Sequence, residues 1–195
     1  MRPKMFDPDK TLDLAMIQFW ESGFEGSSMQ DLVDRMGISR QSLYDTYGNK
    51  RELFEDSLKR YVDEVIRPRK AALLDPALRP AEAIRDYLNA IAEGAPDMPI
   101  GCLMVRTATE ISPEDAEIGK LINECFSEVF EAMCEVIERG QACGDFDSQR
   151  STRDLASSVI ASGMGLHVMR RLPGRGKHLR PPVDAIVQGL RGISA

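Results

Sequence analysis

Apolar residues recur at helical spacing from one end of the chain to the other. Nowhere do they alternate with the period of two that a half-buried strand requires. The first segment sets the pattern. Leu12, Ala15, Met16 and Phe19 stand at i, i+3, i+4 and i+7, Trp20 extends the stripe, and Asp7 and Pro8 supply a cap and a favoured first helical residue. Gly23 is a natural stop. A chain patterned this way throughout is expected to be all-α, with about nine helices packed through their apolar stripes.

The other helices follow by the same reasoning. Ser28 offers a cap for the second, with Asp31 three positions on and Leu32, Val33 and Met36 as its buried face. Gly37 breaks it, since glycine takes positive φ at little cost. Ser39 caps a very short third helix with Leu43 pointing inward. Asn49 caps a fourth, whose stripe runs Leu53, Phe54, Leu58, Tyr61, Val62, Val65 and Ile66. Pro68 is expected to end or kink it. Ile84, Tyr87, Leu88 and Ile91 mark a fifth helix, and residues 101–111 a sixth. The run "SPED", residues 112–115, starts a long seventh that stops near Gly144. Ser151 and Asp154 open an eighth, residues 173–182 form a loop, and Val183, Ile186, Val187 and Leu190 mark a ninth.

Composition narrows the function classes. At 195 residues, with 43% hydrophobic and 29% charged, the chain is ordinary globular material. It has no signal-peptide core and no apolar run near the ~18 residues of a membrane span, so a cytoplasmic protein with no membrane partner is expected. The cysteines Cys102, Cys125, Cys134 and Cys143 form no C-x-x-C pair and have no histidine at zinc spacing; no metal or cofactor is expected. Support for an enzyme is thin. Neither His167 nor His178 sits in H-E-x-x-H, "GRGK" at 174–177 lacks P-loop spacing, and no nucleophile elbow appears.

The informative stretch is "GISRQSLYDTYGNK", residues 37–50, a polar segment between two helices suited to packing. Two short helices joined by a tight glycine turn make a helix-turn-helix. With Leu43 as anchor, the outward residues are those that reach base edges and phosphates. Arg40 suits guanine, Gln41 adenine, and Ser42 either. Tyr44, Tyr47 and Lys50 suit phosphate oxygens, while Ser28, Ser39 and Asn49 stand at helix starts, where backbone amides favour anions. The net charge of −6 opposes strong nonspecific binding. Locally, however, Arg35, Arg40, Lys50 and Arg51 face only Asp45. A polar helix of this kind is equally a plain solvated face, and spacing alone leaves both readings open.

The letters go further. "SSMQDLVDRMGISRQSLYDTYGNKRELF", residues 27–54, resembles the DNA-binding segment of the TetR family of bacterial regulators, matching its pattern at Ser28, Leu32, Gly37, Ile38, Ser39, Leu43, Tyr44, Tyr47, Lys50 and Leu53. Val33 and Met36 depart from the usual Ala, and Tyr47 from a more typical Phe. "FWESGFEGSSM", residues 19–29, is similar to the family's approach to its second helix, and "PIGCLMVRTATEI", residues 99–111, resembles a segment of some branches. The resemblance implies a DNA-binding domain over 1–49 and a ligand-binding and dimerisation domain over 50–195. It implies a homodimeric repressor on a palindromic double-stranded operator, released when an unknown small-molecule effector shifts the fourth helix.

Within the larger domain the residues say less. The family expectation is a pocket, with Val62, Ile66, Tyr87, Ile91, Cys102, Met104, Phe126, Phe130, Met133 and Met164 as candidate walls; any one of these is also ordinary core. The eighth helix is rich in small residues, including Ala161 and Gly165. With Val183, Ile186, Val187 and Leu190 it is the candidate dimer interface, unless both helices simply close the chain's own core. Cys102, at the start of the sixth helix, is either a redox or electrophile sensor or a small buried hydrophobe. A helix-turn-helix that serves protein interaction, having lost DNA binding, is a further reading.

Overall fold

A computed structural model describes residues 6–111, 115–174 and 179–191. Residues 112–114 of the expected seventh-helix start, 175–177 of the basic loop, and His178 lie outside these. The elements are α1 (Pro8–Ser22), α2 (Met29–Met36), α3 (Arg40–Tyr47), α4 (Lys50–Tyr61), a π turn (Val62–Ile66), α5 (Arg67–Leu73), α6 (Pro80–Glu93), α7 (Leu103–Glu110), α8 (Ala116–Cys143), α9 (Thr152–Arg171) and α10 (Arg180–Gly189). The chain is all-α, as its periodicity requires.

Pro68 does not end the fourth helix. The path from α4 through the π turn into α5 is uninterrupted. A proline ring inside a helix crowds the carbonyl four residues back, here that of Glu64. Glu64 lies in the wider π turn, which gives that carbonyl room. With α4, the π turn and α5 taken as one rod, the described residues form nine helical rods.

The chain divides into two compact units. One comprises the residues up to Ile66 together with Cys102–Ile122; the other comprises Arg67–Gly101 and the described residues from Asn123 onward. In the first, α1 and α4 pack through aromatic rings. Phe19 meets Phe54 edge-on at 4.9 Å between centroids, and Trp20 meets Tyr61 at 4.7 Å. Such pairs add about 0.5–1.5 kcal/mol beyond the area they bury. Leu32, Leu43, Leu53 and Leu58, all fully buried, fill the remaining core.

In the second unit, Ile84, Leu88 and Ile91 of α6 share a core with Met133 and Ile137 of α8, Leu155 and Val159 of α9, and Val183 and Val187 of α10 with Leu190 just beyond its end. A Cβ at Gly140 would fall 2.0 Å from the Phe146 ring, so this close approach requires glycine. The last three of these core residues correct the expected dimer interface. Val183, Val187 and Leu190 are at most 2% exposed and serve the chain's own core, with Ile186 packed partly against it. A face buried to that degree offers a partner nothing.

Candidate nucleic-acid interface

Helices α2 and α3 are each eight residues long. Helices so short are not stable alone, so their ends must be satisfied by side chains. The Ser28 hydroxyl accepts from the Asp31 amide at 3.1 Å, and Asp31 accepts from the Ser28 amide at 2.8 Å, a complete capping box. The Ser28 hydrogen bonds also lower the Asp31 pKa. Gly37 closes α2 at φ 65°, its amide bonded to the Val33 carbonyl at 3.0 Å. Ser39 then caps α3 through the Ser42 amide at 3.1 Å. Asn49 caps α4 through the Arg51 and Glu52 amides, and Glu52 accepts back from Asn49 N–H at 3.1 Å.

Leu43 is fully buried and Ile38 nearly so, which anchors α3 by its inner face. Burial of a leucine side chain contributes about 1.5–3 kcal/mol. Arg40, Gln41 and Tyr44 are exposed on the outer face and Ser42 is half-buried. Each of the long three rests on its own helix: the Arg40 guanidinium lies 6.0 Å from the Tyr44 ring centre, and the Gln41 amide donates to Asp45 at 2.7 Å. Both contacts are local to α3 and lie on its exposed face. Lys50 is half-buried with its ammonium 4.3 Å from the Phe24 ring centre.

Tyr47, expected at phosphate, is not there. It is 9% exposed, and its hydroxyl donates to the Pro8 carbonyl at 2.7 Å and bonds Thr11. Burial pushes its pKa up. Tyr47 therefore ties α3 to the start of α1. Ser28, Ser39 and Asn49 are exposed, but their side-chain oxygens are engaged in capping, so they position the site through the helix ends they hold.

The local basic surplus is also smaller than the sequence suggests. Arg35 pairs with Glu21 at 2.6 Å, and Arg51 pairs with Asp115 and Glu55. The hydrogen bond from Arg51 takes the Asp115 pKa down to about 2, helped by the backbone amides of α8. Of the four cations of this segment, Arg40 and Lys50 have no carboxylate partner among the described residues.

Sequence reasoning missed Arg106. From α7 it donates to the Glu21 and Ser22 carbonyls at 2.9 and 2.6 Å, closing the end of α1. A Cβ at Gly23 would strike it at 2.5 Å. No local signal marks a cap supplied from so far along the chain.

The pocket candidates divide between the units. Val62, Ile66, Cys102 and Met104 belong to the first; Tyr87, Ile91, Phe126, Phe130, Met133 and Met164 belong to the second. Met104, Ile91 and Met133 are sealed core, whereas Tyr87, Phe126, Phe130 and Met164 are half-buried. The Phe130 ring lies under the Arg153 guanidinium at 4.7 Å. Cys102 sits at the N-cap of α7, is 6% exposed, and accepts from the Tyr61 hydroxyl at 3.3 Å. A shallow surface groove of about 570 Å³, lined by Pro76, Leu78, Arg79, Pro80, Arg139 and Cys143 among others, includes none of the candidates.

Comparison with known proteins agrees with this geometry. Residues 12–56 match the family described as bacterial regulatory proteins, tetR family, and residues 78–186 match the tetracyclin repressor-like C-terminal domain. The chain is 32% identical over 169 residues to the HTH-type transcriptional repressor ComR of Escherichia coli (strain K12), spanning 85% of this chain and 80% of that protein. It is 34% identical over 192 residues to the HTH-type transcriptional repressor BdcR of the same strain, spanning 97% and 79%. Among solved structures it is similar to a cysteine-substituted form of the TetR family transcriptional regulator CifR complexed with 26-bp double-strand operator DNA. There the TM-score is 0.86 and the identity 28%, with 97% of this chain and all of that one covered.

Proposed function

This chain belongs to the tetR family of bacterial regulatory proteins, which are DNA-binding transcriptional regulators and not enzymes, and from that premise we propose that it is a homodimeric repressor, released from a palindromic operator by a small-molecule effector. The observation that carries the reading is the outer face of α3. Arg40, Gln41 and Tyr44 are exposed while Leu43 and Tyr47 hold the inner face. One such helix reads only a few base pairs. Two copies related by a two-fold axis set their recognition helices about 34–36 Å apart, one turn of DNA.

A surface on α9 supports the pairing. Ala161, Gly165, Val168 and Leu172 follow one another at helical spacing, all are exposed, and Val168 and Leu172 are 55% and 48% exposed. A stripe of small residues with two bare apolar side chains suits close helix–helix approach between subunits. The sensing step is better assigned to a reversible ligand than to oxidation of Cys102. That thiol is sealed from solvent and engaged by Tyr61, whereas sensor thiols are accessible.

The test is operator binding by fluorescence anisotropy, on a site selected from random DNA, alongside light scattering for mass. The wild type is expected to be a dimer that binds a palindrome. Gly165→Arg is expected to yield a folded monomer with operator affinity at least a hundredfold weaker. A monomeric wild type, or a selected site without two-fold symmetry, would overturn the reading.

A further inference from the structure

His167, near the end of α9, is 8% exposed, and its Nδ1 has no partner among the described residues. The ring hydrogen-bonds the backbone of Gly101. Nδ1 is therefore a buried ring nitrogen whose hydrogen-bonding capacity is unmet. Buried polar groups are nearly always satisfied, and an exception calls for an explanation such as an absent ligand.

The surroundings point to the nature of that ligand. Two guanidinium groups act on the ring, Arg69 from α5 and Arg170 one turn further along α9. Both are half-buried, and neither has a carboxylate partner among the described residues. Arg170 reaches only the Ile91 carbonyl, at 3.4 Å. Its guanidinium fills space that a Cβ at Gly94 would occupy, with atoms 2.1–2.4 Å from that position. Four other half-buried arginines are neutralised, Arg35 by Glu21, Arg60 by Asp13, Arg85 by Asp184 and Arg106 by Glu110, and Arg139 is held by the Asp75 and Leu78 carbonyls. Arg69 and Arg170 are the half-buried arginines without a carboxylate that act on a buried, unpartnered ring nitrogen. Burial and then the charge of Arg69 lower the Arg170 pKa, and burial followed by the charges of Arg69 and Arg170 holds the imidazole neutral with its pKa down to about 4. Two half-buried cations without carboxylate partners, acting on a buried and unpartnered ring nitrogen, form a site completed by an anion.

We infer that Arg69, Arg170 and His167 form the anion-binding part of the effector site, and that the effector is a small organic carboxylate. This rests on the effector reading above. A planar carboxylate matches the guanidinium fork in bidentate fashion. Its charge offsets the field of Arg69 and Arg170 at the ring, so His167 takes up a proton and Nδ1–H donates to the bound anion. Among the described residues, the groups that act on the ring are these two arginines, from α5 and α9, and the Gly101 backbone from the segment before α7. Binding is therefore tighter at pH 6 than at pH 8.

The experiment uses the full chain with acetate, benzoate and succinate as probes, benzamide as the neutral counterpart of benzoate, and sodium chloride at matched ionic strength. Binding is read by thermal shift and by titration of the His167 ring resonance in NMR, assigned by its loss in His167→Gln. At least one carboxylate is expected to raise the melting temperature where benzamide and chloride do not. It is also expected to move the His167 pKa from about 4 toward the ordinary 6.5. Arg170→Gln and Arg69→Gln should each weaken that binding at least tenfold, and should raise the ring pKa without any ligand. If His167→Gln fails to fold, the arginine variants still decide. No carboxylate effect on the ring, or undiminished binding in both arginine variants, overturns the proposal. Carboxylate binding that leaves the operator complex intact upholds the anion subsite and overturns the effector reading. Operator release by benzamide with no change at His167 does the reverse.

Discussion

The two units achieve order by different means. In the first, α2, α3 and α4 span eight, eight and twelve residues, and each begins at a side-chain cap on Ser28, Ser39 or Asn49. Hydrogen bonds at fixed positions compensate for cores of only a few side chains. In the second, α6 and α9 run to fourteen and twenty residues and share one extended apolar cluster; Ser151 caps α9, while the residues before α6 and α10 supply no side-chain cap. Burial carries that unit, and burial is indifferent to which apolar residue supplies it. The contrast extends to charge. The first unit pairs its buried or half-buried arginines, whereas the second leaves Arg69 and Arg170 beside a neutral histidine.

Core truncation gives the largest expected effect. Leu43→Ala should cost about 2–5 kcal/mol and abolish operator binding, because no neighbouring core can absorb the cavity. Leu88→Ala costs a similar amount in a larger cluster and should leave a folded, DNA-binding protein at 25 °C. Denaturant unfolding followed by anisotropy distinguishes them, and equal loss of DNA binding would break the comparison.

Acid should separate the units next. The folded His167 pKa, about 4, lies below the unfolded value of 6.5, so the unfolded chain binds the extra proton between those values and stability falls with pH across that window. The full loss is about 3 kcal/mol by linkage, and His167→Gln should flatten the slope. Asp115 acts lower. Its folded pKa of about 2, against 3.8, means that its contribution is present above pH 3.8 and is lost as pH falls toward 2. Between pH 6.5 and 4 the second unit should therefore weaken while the first holds, which hydrogen exchange read helix by helix would show.

Within the reading face, Arg40→Ala should cost about 1–3 kcal/mol on the preferred site and relax preference at one or two base pairs. Lys50→Ala should weaken all sequences alike and lower the salt slope by ~1. Salt-independent losses from both would remove their assigned roles. The smallest effect belongs to the caps. Ser28→Ala should lower stability by about 1 kcal/mol, read as a shift in the denaturation midpoint with unchanged slope.

Much of the first unit was legible because its signals are local. Ser28 with Asp31, Gly37, and Asn49 with Glu52 each act within three or four residues, and the structure shows those bonds. Tyr47 was misplaced even though a signal existed: it stands four residues after Leu43, hence on the same inward face. Lys50 and Arg51 read alike in sequence, yet Arg51 is engaged by Asp115 and Lys50 is not. Nothing near either residue distinguishes them. In the second unit, α10 carried a clear apolar stripe, but a stripe does not name its partner. Val183, Val187 and Leu190 turned to the chain's own core, and the bare stripe on α9 runs through Val168 and Leu172.

The sequence by itself determined where α1 and α2 start and stop and where α3 and α4 start, that the chain is all-α, and that Arg40, Gln41 and Tyr44 lie opposite Leu43. These follow from forces that act over one helical turn. Tertiary structure alone decided which stripes meet, that Arg106 closes α1, and that Arg69, Arg170 and His167 converge. Apolar attraction is non-directional, and charges distant along the chain have no mutual energy until packing brings them together and removes the water between them.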